Sequence, residues 1–308
     1  MITNNELTSL KNINEGQSVK SEILYSSRKF NFFNRNKCDY VYTHFDSKMS
    51  MFFGVKDNVL IAPFSAPFAL PRYVTDFVKY SHVYDFFEAL KNDIEESNIE
   101  KVKLTIPPGF YNENIISKMS HSLNSLGFEL LYKDLNSHIS LKNEPFENLP
   151  SKCRNKIRAS EKHNNSIVHA VTLEEKERAY NIIKENRVLK GYPLRLSWEQ
   201  VKDTITNVAK AEFFISVTND VDSAAAMIFE VSDNVAQVIY WGANQSGEKS
   251  HSMYYLPFKV IEYYKSRGFD YLDIGPSSEE GVINAGLNEY KQMIGCINTL
   301  KETWVYNK

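Results

Sequence analysis

The residues able to do chemistry concentrate between Trp241 and Gly295, WGANQSGEKSHSMYYLPFKVIEYYKSRGFDYLDIGPSSEEGVINAGLNEYKQMIG. A polar loop carrying Gly247, Lys249, Ser250 and Ser252 separates an apolar strand, VAQVIYW, from a helix that Ser250 or Ser252 would cap. Such a loop leaves backbone N–H groups and the positive end of the helix dipole facing outward, a setting for phosphate or pyrophosphate. With nothing bound, the same order is an ordinary βαβ crossover. Groups that exchange protons surround the loop. Asp273 lies on the next strand, Glu230 on the preceding hairpin, and His251 at the helix start, where the dipole favours its neutral form. Each has a duller alternative: a structural pair for Asp273, a solvated strand position for Glu230, a water-facing ring for His251. Further back, Arg154, Arg158 and Lys162 stack at i, i+4 and i+8 of SKCRNKIRASEK, with Lys152 and Lys156 beside them and Glu161 as the single acid. That ridge is either a solvated face or a grip for a diphosphate through charge-assisted bonds.

These groups must be held by the elements around them. The helix after the loop shows Met253, Leu256, Val260, Tyr263 and Tyr264 on an apolar face and stops at Gly268. FDYLDIG then reads as a buried strand closed by Gly275 and Pro276, and a short helix with Leu287, Tyr290, Lys291 and Ile294 ends at Gly295, before a last strand over 299–306. Upstream, helices over 173–190 and 197–209 precede a meander, EFFISVT, SAAAMIFEV and VAQVIYW, turned at Asn219-Asp220 and Asp233-Asn234. The first half opens with a frayed lead-in of about twenty residues. Residues 23–33 fit a short helix or an edge strand equally. DYVYTHF, MSMFFGV and VLIAPF read as strands. Pro63, Pro67 and Pro71, interleaved with Phe64 and Phe68, exclude a helix. They make an aromatic loop that either lids the core or walls a substrate pocket. A helix from Thr75 or Asp76 to about 96 follows, with Phe77, Tyr80, Phe87, Leu90 and Ile94 as core candidates. Strand KVKLTIPP, a helix over 112–126 and FELLYKDLNSHISL complete this half. The polar, Pro-bounded NEPFENLP marks the domain boundary, giving domains 1–148 and 149–308.

Composition sets the outer limits. The 308 residues suit two domains, and a formal net charge of −2 gives no global basic field for a large RNA partner. No run approaches the roughly 20 apolar residues of a membrane span, and the N-terminus lacks a secretory pattern, so a cytoplasmic location is expected. Cys38, Cys153 and Cys296 are scattered and odd in number, which suggests neither a disulfide framework nor a metal site.

The halves also resemble each other. FGVKDNV at 53–59 and FEVSDNV at 229–235 share Phe, Val, Asp, Asn and Val, each at a hairpin turn, and the same elements follow: helix, strand ending in Pro, helix, strand. A duplicated unit is the economical account. A cleft between two such units is a natural ligand site.

The element order from 173 to 306 resembles the GNAT acyltransferase fold. RNKIRASEK at 154–162, KENRVLKGYPL at 184–194 and GLNEYKQMIGC at 286–296 resemble its FemABX-like branch, which pairs two GNAT-like domains. The resemblance implies an α/β (α+β) chain of two tandem GNAT-like domains, each a mixed, mostly antiparallel sheet flanked by helices, with the acceptor on the first and the acyl donor on the second. It implies transfer of an acyl group to a primary amine. One arm of the branch uses aminoacyl-tRNA on a peptidoglycan precursor; others use acyl-CoA, including on nucleotide-linked amino sugars. The Gln245–Ser250 segment has the composition of a CoA loop but not its spacing. The expectation is an acyl-CoA donor, no metal, and a nucleotide-linked (dTDP or UDP) amino sugar for surface polysaccharide as acceptor. The rivals are an aminoacyl-tRNA-dependent FemX-like transferase and a non-catalytic binding module. An amine must lose a proton before it attacks, and the oxyanion that develops needs backbone donors. Asp273, Glu230 and His251 are therefore candidate bases. The resemblance makes Tyr290 an acid for the leaving group, and it matches Lys291 to the family's Phe/Tyr-Lys pair as a donor or phosphate contact. Gly247, Lys249, Ser250, Ser252 and Asn284 are expected at the donor, and Phe64, Phe68, Arg154, Arg158, Tyr240 and Trp241 at the acceptor.

Overall fold

The computed structural model describes residues 22–75, 77–142, 144, 146–147 and 149–308. The lead-in, Asp76 as a helix start, and Asn143, Pro145 and Asn148 of the expected boundary stretch lie outside the described residues. In chain order the elements are α1 (Arg28–Phe33), β1 (Tyr40–Phe45), β2 (Met49–Lys56), β3 (Val59–Ala62), β4 (Arg72–Tyr73), α2 (Tyr80–Glu95), β5 (Lys101–Ile106), α3 (Glu113–Ser125), β6 (Glu129–Ser140), α4 (Ser151–Glu161), β7 (Asn165–Ala170) and α5 (Leu173–Lys190). They continue as α6 (Trp198–Asn207), β8 (Ala211–Thr218), β9 (Val221–Glu230), β10 (Val235–Ala243), α7 (Gln245–Lys249), α8 (Ser252–Ser266), β11 (Tyr271–Pro276), β12 (Ser278–Glu279), β13 (Val282–Ile283), α9 (Ala285–Met293) and β14 (Ile297–Asn307).

The chain forms two compact units. Unit 1 takes the residues up to Asp134 together with Leu300–Lys308, and unit 2 is Leu135–Thr299. The division falls inside β6 and β14, so the boundary expected at 148/149 lies within unit 2, and the chain's last residues complete unit 1.

In unit 1, β1, β2 and β3 form an antiparallel meander, β5 joins β3 in parallel, and residues 302–307 of β14 pair antiparallel with β5. The β2–β3 turn is made by Asp57 and Asn58, both at positive φ (50° and 59°), the backbone of a tight two-residue hairpin. β5 alternates half-buried and buried positions, as a strand covered on one face should. Within residues 23–33 a 3-10 turn over Leu24–Ser26 leads into helix α1, which the Ser27 hydroxyl caps by accepting from the Phe30 N–H. Helix α2 begins at Tyr80 rather than near 75, and that shift removes two of the expected core residues. Phe77 and Tyr80 are exposed, while Val83, Phe86, Phe87, Leu90 and Ile94 carry the buried stripe.

In unit 2, β7, β8, β9 and β10 run antiparallel, β11 joins β10 in parallel, and residues 136–140 of β6 pair antiparallel with β11. The β8–β9 turn uses Asn219 and Asp220 at φ 49° and 63°. The β9–β10 turn, expected at Asp233-Asn234, is looser: the Val231 N–H donates to the Val235 carbonyl, and neither Asp233 nor Asn234 has positive φ. β9 is buried along nearly its whole length, with α5 and α8 both packed on it. α5 spans 173–190 as expected, fixed by a capping box of Thr172 and Glu175 and a left-handed Gly191. Leu256, Val260, Ile261 and Tyr264 of α8 bury against Leu272 and Ile274 of β11 and Cys153 and Ile157 of α4. β7, α7 and the β12–β13 hairpin have no counterpart in the sequence expectation. Among the described residues no helix is long and apolar enough to cross a membrane.

Trp304, 5 % exposed, is the large side chain that β14 brings into unit 1. Trp304→Ala should cost about 3–5 kcal/mol, as other large-to-small core substitutions do. In amide hydrogen exchange the loss should appear as faster exchange in β5, its strand partner, than in β11.

Candidate functional site

The backbone of unit 2 opens at one place. β10 and β11 pair only from Val235–Tyr271 to Gln237–Asp273, yet β10 continues to Ala243 and β11 to Pro276. Both strands bulge just where they part. Ile239 is the extra residue between Val238 and Tyr240 in the β9 register, and Ile274 the extra residue between Asp273 and Gly275 in the β6 register. A bulge bends its strand and adds twist, so two bulges side by side spread the strands into a fork. Burial along β10 changes at the same point, from buried Gln237 and Val238 to half-buried Ile239, Tyr240 and Trp241. On its β11 side, β10 has no strand partner beyond Gln237 among the described residues, and the far end is closed by Asn186, whose Nδ2 donates to the Ala243 carbonyl at 2.6 Å.

A buried polar cluster sits at the vertex. Asp273, with no exposed surface, accepts from Gln237 Nε2 (2.6 Å), Asn136 Nδ2 (2.9 Å) and the Gly275 N–H (2.9 Å). Lys291, 3 % exposed, donates from Nζ to the carbonyls of Gly275 and Pro276, both at 2.8 Å. Burial lowers the Lys291 pKa to about 8, with Cys296 and Asp273 acting weakly the other way.

Tyr290 has a structural partner that explains it. Pro257 lies inside α8 and has no N–H, so the Met253 carbonyl one turn back loses its helical donor. The Tyr290 hydroxyl supplies the missing bond, donating to Met253 O at 2.7 Å. Burial raises its pKa further, so its proton is held in this contact.

The loop before α8 is arranged differently from the expected open cradle. Asn244 caps the short helix α7 by accepting from the Gly247 N–H, and a Cβ on Gly247 would sit 2.0 Å from the Ser223 carbonyl. Neither Ser250 nor Ser252 caps α8. The residue at that position is His251, left-handed at φ 58° and making no side-chain cap bond. Both serines turn inward and are buried. Ser250 Oγ meets Ser252 Oγ at 2.8 Å, and Ser252 Oγ donates to Ser223 Oγ at 2.9 Å; Thr218, bonded to Asn165, completes the cluster. Lys249 is exposed. The His251 pKa is lowered by burial first and then by the charges of Lys156 and His163, the direction that favours its neutral form.

The other expected site residues separate into two groups. Glu230 pairs with Arg267, Asn284 caps α9 through the Leu287 N–H, and Phe68 is core, edge-on to Tyr25. Phe64 lies against Gly54, where a Cβ would come within 2.6 Å of its ring. Arg154 donates to the Glu147 and Leu149 carbonyls and Arg158 stands over the Phe146 ring, so those bases order the approach to α4. Tyr240 and Trp241, by contrast, lie on the open arm of the fork together with a residue the sequence analysis did not single out. Arg187, within the quoted KENRVLKGYPL, packs its guanidinium against the rings of Tyr240 (5.1 Å) and Tyr192 (5.8 Å), and its buried Nε has no partner among the described residues. Lys184 and Lys190 occur in the same segment, so position alone could not have selected Arg187; the aromatic neighbours do. A groove of about 580 Å³ in unit 1, between α3 and β14, contains none of these residues, and Glu302 in its wall already accepts from Ser120 and Trp304.

No protein-family model matches the chain, and no curated protein matches it. Among solved structures, FemX aligns over 100 % of this chain and 96 % of its own, with a TM-score of 0.69 at 11 % identity. L-PGS from Bacillus licheniformis aligns over 98 % and 91 % (TM-score 0.60, 11 % identity). The C-terminal domain of a putative lysylphosphatidylglycerol synthetase from Agrobacterium fabrum aligns over 92 % and 88 % (TM-score 0.59, 9 % identity). The chain thus has the FemX-type fold.

Two outcomes test this geometry. Tyr290→Phe strands the Met253 carbonyl and should destabilise by about 1–3 kcal/mol. Pro257→Ala returns an N–H to that carbonyl, so in its background the same change should cost clearly less, a coupling that a double-mutant cycle in urea reads directly. For Lys291, an unfolded lysine holds its proton to about pH 10.4, whereas the folded one releases it near 8. Between those values the unfolded chain binds more protons, so this group makes stability rise with pH across that window. Below it, the buried charge is a penalty on the order of 3 kcal/mol. Burial pushes the Cys153 and Cys296 thiols up, which works in the opposite sense. The quantity to measure is therefore wild type minus Lys291→Met, which should climb from about pH 7.5 to 10.5; a flat difference would contradict the assignment.

Proposed function

We propose that the protein is an acyltransferase whose reaction takes place in the β10–β11 fork of unit 2, moving an aminoacyl group from the ester of an aminoacyl-tRNA to the primary amine of a nucleotide-linked cell-envelope precursor. The observation that carries this reading is the fork itself, a stretch of β10 from Val238 to Ala243 with no strand partner on its β11 side among the described residues, beside a buried polar vertex. Backbone N–H groups on a strand edge without a neighbouring strand are suited to a carbonyl oxygen that gains charge as the amine attacks, and they need no reorganisation when it does.

The donor is read from the loop before α8. A pyrophosphate would need the Gly247 N–H and the Ser250 and Ser252 hydroxyls, and all three are engaged within the protein. An aminoacyl ester presents no pyrophosphate, so it makes no demand on that loop. The FemABX resemblance includes aminoacyl-tRNA users, and the structural likeness to FemX spans the whole chain; with a net charge of −2 such a tRNA is engaged through its aminoacylated end and not through a global basic field. Acyl-CoA, with a nucleotide-linked amino sugar as acceptor, is the second reading; it would have to hold its diphosphate elsewhere than in this loop.

The acceptor's diphosphate is assigned to Arg187. Its guanidinium lies over the rings of Tyr192 and Tyr240, and its Nε lacks an acceptor among the described residues. Asp273 and Tyr290 are engaged in contacts of their own, so proton removal from the amine is left to water or to the substrates.

The test is transfer of a labelled aminoacyl group from a charged tRNA pool to a nucleotide-linked amine, with and without ribonuclease, against labelled acetyl-CoA. Ribonuclease-sensitive transfer is expected. Transfer from acetyl-CoA that survives ribonuclease would overturn the donor assignment, and no transfer from either would overturn the activity. Arg187→Ala should raise the acceptor KM about tenfold or more with kcat little changed, since a charge-assisted contact contributes about 1.5–3 kcal/mol.

A further inference from the structure

The vertex of the fork contains more polar machinery than a β-sheet needs. Gln237 and Asp273 form the last cross-strand pair of β10 and β11, and their side chains bond to each other at 2.6 Å with 4 % and 0 % exposure. The other Asp273 oxygen takes Asn136 Nδ2 from β6 and the Gly275 N–H from just beyond the bulge. Gly275 is left-handed at φ 77°, so the bulge turn is closed by the same carboxylate that ties β10 to β11. Lys291 of α9 then takes the carbonyls of Gly275 and Pro276. The open arm of β11 is thereby held through its N–H on one side and its carbonyls on the other. Four polar side chains, each under 5 % exposed, span three strands and a helix at the point where the strands separate. Burying such groups is unfavourable compared with packing apolar ones of similar volume, and what they supply in return is a defined arrangement.

We infer that Gln237, Asn136 and Asp273 form a positioning strut that sets the opening of the fork, and that Asp273 serves the reaction through this strut rather than as the base that removes a substrate proton. The inference rests on the fork being the reaction site. Asp273 is the acid the sequence places best for proton transfer, but both of its oxygens are engaged by the protein's own N–H donors. An amide can take its place at little cost. In Asp273→Asn the new oxygen accepts from Asn136 and Gly275, and the Gln237 amide turns over to accept from the new NH₂. Asp273→Ala and Gln237→Met break the strut; the second keeps side-chain volume and removes the amide that meets Asp273, so it remains informative if the first does not fold.

The experiment compares wild type, Asp273→Asn, Asp273→Ala and Gln237→Met in two measurements on the full chain. Amide hydrogen exchange of the segments 238–243 and 274–277 should speed up in Gln237→Met and Asp273→Ala and stay near wild type in Asp273→Asn. In aminoacyl transfer, the strut-breaking variants should lose about 10²-fold in kcat, the scale of a misplaced reacting group. Asp273→Asn should stay within about tenfold of wild type with an unchanged pH profile, where loss of a general base would cost about 10²–10⁴-fold. Unchanged exchange in Gln237→Met overturns the strut. So does an Asp273→Asn variant as inactive as Asp273→Ala. If wild type transfers nothing while Gln237→Met still accelerates exchange, the strut stands and the reaction assigned to the fork falls.

Discussion

A carboxylate with no exposed surface has to be met by donors, and the way Asp273 is met determines the shape of the site. Leaving it unpaired in an apolar interior would cost several kcal/mol. β10 supplies Gln237, β6 supplies Asn136 and the bulge in β11 supplies the Gly275 N–H. These donors come from separate segments and converge only if β10 and β11 pair up to this rung and bulge directly after it. The need to satisfy one buried charge thus fixes where the pairing stops. Lys291 follows from the same arrangement, because the β11 carbonyls beyond the bulge no longer have a ladder partner in β10 and are bonded by its ammonium instead.

Helix α8 behaves in the same way at its first turns. Pro257 removes one helical donor, and the protein answers with a side chain from α9. That contact ties the short helix carrying Lys291 to the long helix that packs on the sheet, so the two residues of the Tyr290-Lys291 pair have complementary tasks. Tyr290 anchors α9 to α8, and Lys291 anchors it to the end of β11. The serines before α8 are recruited into the joint between β8, β9 and the helix start. A loop rich in Gly, Ser and Asn resembles an anion cradle in composition, but hydroxyls that satisfy one another are no longer available to a ligand.

Most of the fold was legible because its signals are local. Thr172 with Glu175 and then Gly191 bracket α5, Asn219-Asp220 and Asp57-Asn58 are the residues that tolerate the left-handed backbone of tight hairpins, and Gly268 and Gly295 stop α8 and α9. Where local signals were ambiguous, the boundary moved: Thr75 reads as an N-cap, yet α2 waits until Tyr80, exposing Phe77. The site was much less legible. Ile239 and Ile274 look like any strand residues, and they become bulges only through the registers with β9 and β6. Gln237 carries no motif and matters through its partner across the sheet. Asn244 was the one readable clue to α7, an Asn followed at helical spacing by Gly247 and Glu248, and it was hidden within a stretch that reads as loop.

The short match between the two hairpin turns locates the rung of unit 1 that corresponds to the fork. Aligning FGVKDNV with FEVSDNV puts Ile61 at the position of Gln237, Pro63 at that of Ile239 and Phe64 at that of Tyr240. In unit 1 the partner of Ile61 in the parallel strand is Lys103, where unit 2 has Asp273. No cross-strand amide-to-carboxylate bond can form from isoleucine, and β3 pairs with β5 through its last residue, Ala62, before Pro63 ends it. The position that bulges and stays open in unit 2 is thus a proline in unit 1, with an aromatic ring next to it packed on Gly54. At the rung where β10 and β11 part, unit 2 has an amide facing a carboxylate, and the matching rung of unit 1 has an isoleucine facing a lysine.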